Sequence, residues 1–355
     1  MVVTELTEKL ARSGSHTAEY RGARTVAVYT DTRSEFAALR TEAGIFDLGW
    51  RAKIVVRGSD RVRWLNGIIT NNVRDLAVNR GVYAFQLNPQ GRIQADLYAY
   101  NRGDYFLIDT DQSQLQNLLG IFEHYVIMDD VEVADFSEKL TAIGVTGPRS
   151  REVMRSAGLD IPELGPLETW DTVWQEVGIT VVPADARVLQ SYEVWLPPSN
   201  VGLLWDALVK AGGRPAGFEA YELLRIAAGL PRYGLDIRDR DLPQETEQAR
   251  ALHFNKGCYV GQEIVERIHS RGNVHRTFTG FIVRGAKPAT GSKIQVDGKD
   301  LGEVTSTAIL PLGNEDLPVA LGYIRREAAT SGKEVRIADT GALVSTVPFP
   351  KVFQQ

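Results

Sequence analysis

Cysteine is nearly absent: Cys258 is the only one among 355 residues. A single thiol excludes an internal disulfide and a cysteine-based zinc site, and it fits a reducing compartment. Long apolar runs are missing too. No stretch approaches the roughly 20 apolar residues of a membrane-spanning helix, so no membrane association is expected. The opening MVVTELTEKLARSGSH has no apolar core of the secretory kind, and the expected location is cytoplasmic. Basic charge is not in excess. Lys and Arg number 40 against 45 Asp and Glu, a net charge of −5. Stable nucleic-acid binding is therefore not expected without a local basic patch. Histidine is scarce, and His269 and His275 lack companions at metal-ligand spacing, so no metal site is expected.

What is present is ordinary for a globular chain, with 43% hydrophobic and 24% charged residues. The length suggests two or three domains. Lys53-Ile54-Val55-Val56-Arg57 reads as a strand closed by Gly58. Asp60 is placed to cap a helix whose apolar stripe is Val62, Leu65, Ile68 and Ile69. Residues 82–87 and 92–100 read as a hairpin around the turn Asn88-Pro89-Gln90-Gly91. On its second strand Ile93, Ala95, Leu97 and Ala99 share one face, and Gln94, Asp96 and Tyr98 share the other. Further strands are expected near 105–109 and 131–135, with a helix between them.

From Leu140 short strands alternate with helices. Asn200 is placed to cap a helix carrying Leu203, Leu204, Ala207 and Leu208, and another helix spans about 218–228. After Thr277 the pattern is all-β. Asp297-Gly298 marks a hairpin, and a small barrel or sandwich follows. The whole reads as α+β, with helices packed on antiparallel sheets.

The densest segment for chemistry is Asn255-Lys256-Gly257-Cys258-Tyr259-Val260-Gly261-Gln262-Glu263. It sets the thiol two residues from a lysine, with a helix beginning near Gly261. A nearby cation and a helix N-terminus both favour thiolate. From the residues alone, an inert buried thiol is the competing reading. Arg267, His269, Arg271, His275 and Arg276 form a basic cluster, read either as an anion-holding surface or as a solvated, charged loop.

The segment KGCYVGQE, followed by Ile264-Val265 and Arg267, resembles the signature of the YgfZ group within the GcvT-type folate-binding family. Gly44-Ile45-Phe46-Asp47-Leu48, Leu87-Asn88-Pro89-Gln90-Gly91, Tyr192-Glu193-Val194 and the run from Leu224 to Gly234 extend that likeness over roughly residues 40 to 330. The resemblance implies an α+β protein of three domains around a central folate channel. Its N-terminal domains would be ferredoxin-like antiparallel sheets and its C-terminal domain a small β-barrel. The expected division is 1–50 with 137–275, 51–136, and 276–355. The implied ligand is tetrahydrofolate or a derivative. The implied partners are iron–sulphur enzymes or assembly factors and, through them, tRNA modification.

The resemblance also nominates residues. Glu193 would grip the pterin, because a carboxylate accepts two adjacent hydrogen bonds. Tyr83 and Tyr233 would wall the pocket. Asn88, Lys256 and Gln262, which belong to the matching motifs, would also bind the folate. Arg225 would bind the glutamate tail of folate or pair with a carboxylate. Cys258 and Asp96 are the candidate catalytic groups.

Three departures separate the chain from the glycine-cleavage aminomethyltransferases. Those carry paired aspartates where this chain has Ala95-Asp96, an arginine at Tyr221 and a glutamate at Ala227. Strand parity leaves the first departure open. Folate on the Ala95 side would meet no carboxylate, and on the Asp96 side it would meet one. The leading expectation is a folate-dependent helper in iron–sulphur metabolism that uses Cys258. The alternatives are a tetrahydrofolate-dependent aminomethyl- or methyltransferase and a non-catalytic adaptor.

Overall fold

The computed structural model describes residues 2–10, 16–184, 188–272 and 274–353. The side chain of Arg271, one of the expected basic cluster, lies outside the described residues. The chain divides into two compact units. The first comprises Met1–Ala84 and Asp96–Tyr221, the second Phe85–Ala95 and Glu222–Gln355.

In the first unit, a six-stranded sheet runs in the order Trp170–Trp174, Val177–Pro183, Ser191–Leu196, Thr141–Thr146, Gly44–Asp47, Arg214–Pro215. Its strands are short and rich in Val, Ile and Trp, as half-buried strands are. Ile143, Val145, Val181 and Val194 bury one face against the helix Val201–Lys210. That helix contributes Val201, Leu204, Trp205 and Leu208, spaced as one stripe. Leu203, expected in the stripe, is 56% exposed because it falls outside that arc. Asn200 makes no side-chain cap either. The 3-10 turn Pro198–Asn200 leads into the helix instead.

A five-stranded sheet has the order Arg80–Leu87, Ile93–Asn101, Phe106–Asp111, Arg51–Arg57, Glu132–Asp135. The helix Arg61–Ile68 follows Arg51–Arg57, but Asp60 does not cap it. Its Oδ2 accepts the backbone N–H of Asp130 at 2.9 Å. The buried stripe is Trp64, Leu65, Ile68 and Ile69, so Trp64 takes the place expected for Val62.

The second unit contains a closed six-stranded barrel, with strands Arg276–Val283, Glu315–Arg325, Lys299–Leu312, Lys293–Val296, Glu334–Ile337 and Thr340–Ser345. Asp297 and Gly298 both take positive φ, 50° and 74°, as a tight two-residue hairpin turn requires. The barrel is filled by Phe281, Ile294, Val304 and Ile324, each fully buried.

Two sequence motifs far apart in the chain meet in this unit. Gly91 closes the turn Asn88-Pro89-Gln90-Gly91, its N–H donating to Asn88 O at 2.9 Å. Gly261 precedes the helix Gln262–Arg271 in a left-handed conformation. A Cβ on Gly91 (φ +71°) would lie 2.8 Å from Ile264 Cβ, and one on Gly261 would lie 2.6 Å from Asn88 O. Both positions therefore demand glycine for two reasons, conformation and close approach. Gly91→Ala is expected to destabilise the protein by about 2–4 kcal/mol, combining left-handed strain with overpacking. Urea unfolding measures it, and a loss below about 1 kcal/mol would contradict the contact.

Candidate functional site

The first unit gathers charge on one face of the five-stranded sheet. Arg51–Arg57 and Phe106–Asp111 are antiparallel, with Arg51 opposite Asp111 and Lys53 opposite Asp109. Residues two apart in a strand point the same way, so this register sets two cations against two carboxylates on one face. Arg51 Nε donates to Asp109 Oδ1 at 2.9 Å, and its Nη1 to Asp111 Oδ1 at 2.5 Å. Lys53 is fully buried, with Nζ 3.0 Å from Asp109 Oδ1. That approach is not aligned as a hydrogen bond, so the ammonium N–H groups meet no aligned acceptor among the described residues. A second arginine, Arg21, reaches Asp111 Oδ2 at 3.1 Å, and its guanidinium lies 4.6 Å over the Trp50 ring.

Asp96 stands on the adjoining strand, on the polar face with Tyr98. Tyr83 Oη donates to Asp96 Oδ2 at 2.7 Å, and Gln114 Nε2 donates to Oδ1 at 2.8 Å. The backbone N–H of Asp96 returns to Gln114 Oε1 at 3.0 Å. The carboxyl is thus held in a fixed orientation. Ala95, on the other face, is fully buried in the core with Ile93 and Leu97. Burial pushes the Asp96 pKa above the ordinary carboxyl value. The charge of Asp111 adds to the rise, while Gln114, Tyr83 and Arg51 restrain it.

Glu193 comes from the strand Ser191–Leu196 of the six-stranded sheet. Trp195 Nε1 donates to its Oε2 at 2.9 Å, and the Trp195 ring packs edge-on to Tyr100 at 4.8 Å. Lys53 Nζ lies 5.1 Å from the Trp195 ring centroid. Burial raises the Glu193 pKa, and Asp109 raises it further, against Lys53 and Arg51. For Arg51 burial disfavours the charge, but Asp109 and Asp111 outweigh it and lift the pKa well above the ordinary value. Tyr221 packs on Phe46 at 4.8 Å, and burial pushes its phenol up to about 12. Three of the nominated residues, Tyr83, Asp96 and Glu193, thus belong to this unit. Arg51 acts electrostatically on both carboxyls.

The other nominated residues belong to the second unit and are engaged inside it. Asn88 Oδ1 accepts the backbone N–H groups of Gln90 and Arg92 at 3.0 and 2.9 Å, fastening its own turn. Tyr233 Oη donates to Gln94 O at 2.7 Å. Arg225 is 5% exposed. It donates to Asp236, Leu230 O, Ser306 and Glu222 at 2.6–3.1 Å, so its guanidinium serves internal acceptors. Gln262 Oε1 accepts from Tyr259 N at 3.2 Å.

Lys256 is buried, with Nζ 4.8 Å over the Tyr259 ring, whereas Cys258 is exposed. The competing reading of an inert buried thiol does not hold, because the cation is buried and the thiol is exposed. The basic cluster is also not a loop. Arg267 and His269 lie on the helix Gln262–Arg271, and Arg276 opens a barrel strand. His269 stacks on Phe254 at 3.7 Å.

Sequence reasoning missed Arg51, Lys53, Asp109, Asp111 and Gln114. The available signal was charge at alternating positions in otherwise apolar strands, Arg51-x-Lys53 and Asp109-x-Asp111, with opposite signs. It marks a polar strand face, but only the pairing register joins the two.

A family model described as the GCVT N-terminal domain matches residues 6–256. An aminomethyltransferase of Rubrobacter xylanophilus is 29% identical over 352 residues, covering 98% of this chain and 93% of the relative. One from Geobacillus kaustophilus is 27% identical over 364 residues, covering 98% and 97%. Among solved structures, the glycine cleavage system aminomethyltransferase T of Bartonella henselae has the same fold. Its TM-score is 0.89 at 22% identity, with 99% of each chain covered.

Proposed function

The chain belongs to the GCVT-domain family, and on that premise we propose that it binds tetrahydrofolate and transfers a one-carbon unit in the manner of an aminomethyltransferase. This reading moves the weight from the iron–sulphur role expected at first to the transferase alternative. The relatives matched over nearly their whole length are aminomethyltransferases. The observation that carries it is Asp96, clamped by Tyr83 and Gln114 on the polar strand face.

That geometry supports reading the Ala95-Asp96 departure as a retained carboxyl. Fixed in orientation and raised in pKa, Asp96 is suited to hold or release a proton at a folate nitrogen. Glu193 is suited to accept two N–H bonds from the pterin edge. The buried Lys53 ammonium, 3.0 Å from Asp109 but with N–H groups not aligned to any described acceptor, keeps donors for a ligand acceptor. Arg21, over the rings of Trp50 and Tyr221, supplies a guanidinium beside the position where the transferases carry arginine. As part of the same proposal, 1–50 with 137–275, 51–136 and 276–355 are three domains. The test is an anaerobic titration with tetrahydrofolate followed by a one-carbon transfer assay. Saturable binding without transfer from any aminomethyl donor would overturn the transferase reading.

A second reading attaches to Cys258, because the thiol is exposed at a turn between Gly257 and Gly261, both with positive φ. In it the thiol serves iron–sulphur enzyme clients. Cys258→Ser is expected to keep folate affinity and melting temperature unchanged and to lose complementation of a YgfZ-deficient strain. Full rescue by the variant would remove the thiol from the function.

A further inference from the structure

The second unit holds a cleft of about 440 Å³, lined by the segment with Arg238 and Arg240 and by barrel strands with Tyr323 and Arg325. That volume suits a small molecule. Of its carboxylates, the exposed Asp300 accepts from Gln295 Nε2 at 2.7 Å, and the others are committed to internal partners. Asp236 accepts from Thr305, Ser306 and Arg225. Asp241 accepts from Arg276 Nη2 at 2.6 Å and from the backbone N–H of Arg238 at 2.7 Å. Glu303 alone faces three cations, with Arg238 Nη1 at 3.0 Å, Lys293 Nζ at 3.1 Å and Arg240 Nη2 at 3.6 Å. One carboxylate cannot satisfy three cations, so Arg240, the most distant, keeps guanidinium N–H groups for another acceptor. Arg325 has as its ion-pair partner among the described residues Glu327, 3.8 Å away.

An independent observation points to a ligand. Tyr323 is 4% exposed and lines the cleft, yet its hydroxyl finds no hydrogen-bond partner among the described residues. Its ring is fixed beneath the Arg276 guanidinium at 4.7 Å, so the phenol cannot swing away to find one. A buried O–H with no acceptor is rare in native proteins and calls for a ligand or water.

We infer that this cleft binds the phosphate group of a small phosphate monoester, with Arg240, Arg325 and the Tyr323 hydroxyl as donors. Guanidinium forks match the oxygens of phosphate, and the ion pairs that compete for Arg240 and Arg325 are long, 3.6 and 3.8 Å. The cleft exceeds the volume of a phosphate ion, which leaves room for a small organic body.

The test is calorimetric titration of the full chain at low ionic strength, with inorganic phosphate, glycerol 3-phosphate and acetate as probes. Saturable binding of both phosphates is expected, tighter for the monoester, with acetate giving none. Tyr323→Phe should weaken monoester binding about three- to tenfold and Arg325→Ala at least about tenfold. Arg325 is largely exposed, with 62% of its side chain accessible, so its variant should fold even where the tyrosine variant does not. No saturable binding of either phosphate up to about 10 mM would overturn the inference. Equal binding of acetate would overturn it too, as would unchanged affinity in Arg325→Ala.

Discussion

Asp96→Asn is expected to lower one-carbon transfer by about 10²–10⁴-fold, the usual worth of a positioned acid or base, while making the protein more stable at pH 8. The two effects have one origin. Burial and the charge of Asp111 hold the Asp96 carboxyl above its ordinary pKa. The folded state therefore binds that proton more tightly than the unfolded chain. Stability falls as pH rises from the ordinary carboxyl value through the raised one, and the deficit persists at all higher pH. Asparagine carries no charge and removes the deficit.

The hydrogen bonds survive the change. Gln114 Nε2 still finds an oxygen, and Tyr83 can accept from the new amide where it now donates. Arg51 keeps Asp109 and Asp111. Melting temperatures of both proteins at pH 4 and pH 8 provide the check. The advantage of the variant should be small at pH 4 and larger at pH 8. A variant less stable at pH 8, or one with full transfer activity, would remove Asp96 from the role assigned to it.

The second large effect is on binding. Glu193→Gln should weaken tetrahydrofolate about ten- to hundredfold, because hydrogen bonds to a charged acceptor contribute about 1.5–3 kcal/mol. Glutamine keeps the bond from Trp195 and the side-chain volume, so the loss reports the charge. The pH profile carries the finer signature. Only the ionised carboxylate accepts both pterin N–H groups, and burial together with Asp109 raises its pKa. Affinity should fall as pH drops through that raised value, starting at a higher pH than an ordinary glutamate would give. The glutamine variant should show no such fall. An affinity independent of pH in the unaltered protein would place Glu193 away from the ligand.

Both predictions rest on groups visible in the sequence whose environments were not. The hairpin at residues 80–101 was legible because Asn88-Pro89-Gln90-Gly91 and the alternation after it are local instructions. Turn dihedrals and strand parity depend on neighbours in sequence. The same parity left the Ala95-Asp96 question open, because it assigns opposite faces without saying which is buried. The barrel was announced in the same way, by Asp297-Gly298 and the short strands after Thr277.

Helix caps were the weak point. Asp60 and Asn200 have the right chemistry for capping, but Asp60 was taken by the backbone of Asp130, 70 residues away, and Asn200 entered a 3-10 turn. The Cys258 segment stood out in the sequence as the lone thiol, flanked by glycines. It left open where the lysine and the thiol would point, because a lysine two residues from a thiol need not share its side of the chain.

By itself, then, the sequence determined the strands, the turns, the glycines with positive φ and the presence of Asp96 and Glu193, since each follows from short-range backbone and side-chain preferences. Only the tertiary structure decided that Arg51 and Lys53 stand opposite Asp111 and Asp109, that Gln114 and Tyr83 clamp Asp96, and that Gly91 meets Gly261. Those are pairings between residues from about 13 to 170 positions apart. Their energy comes from burial and charge at close range, which no local pattern encodes.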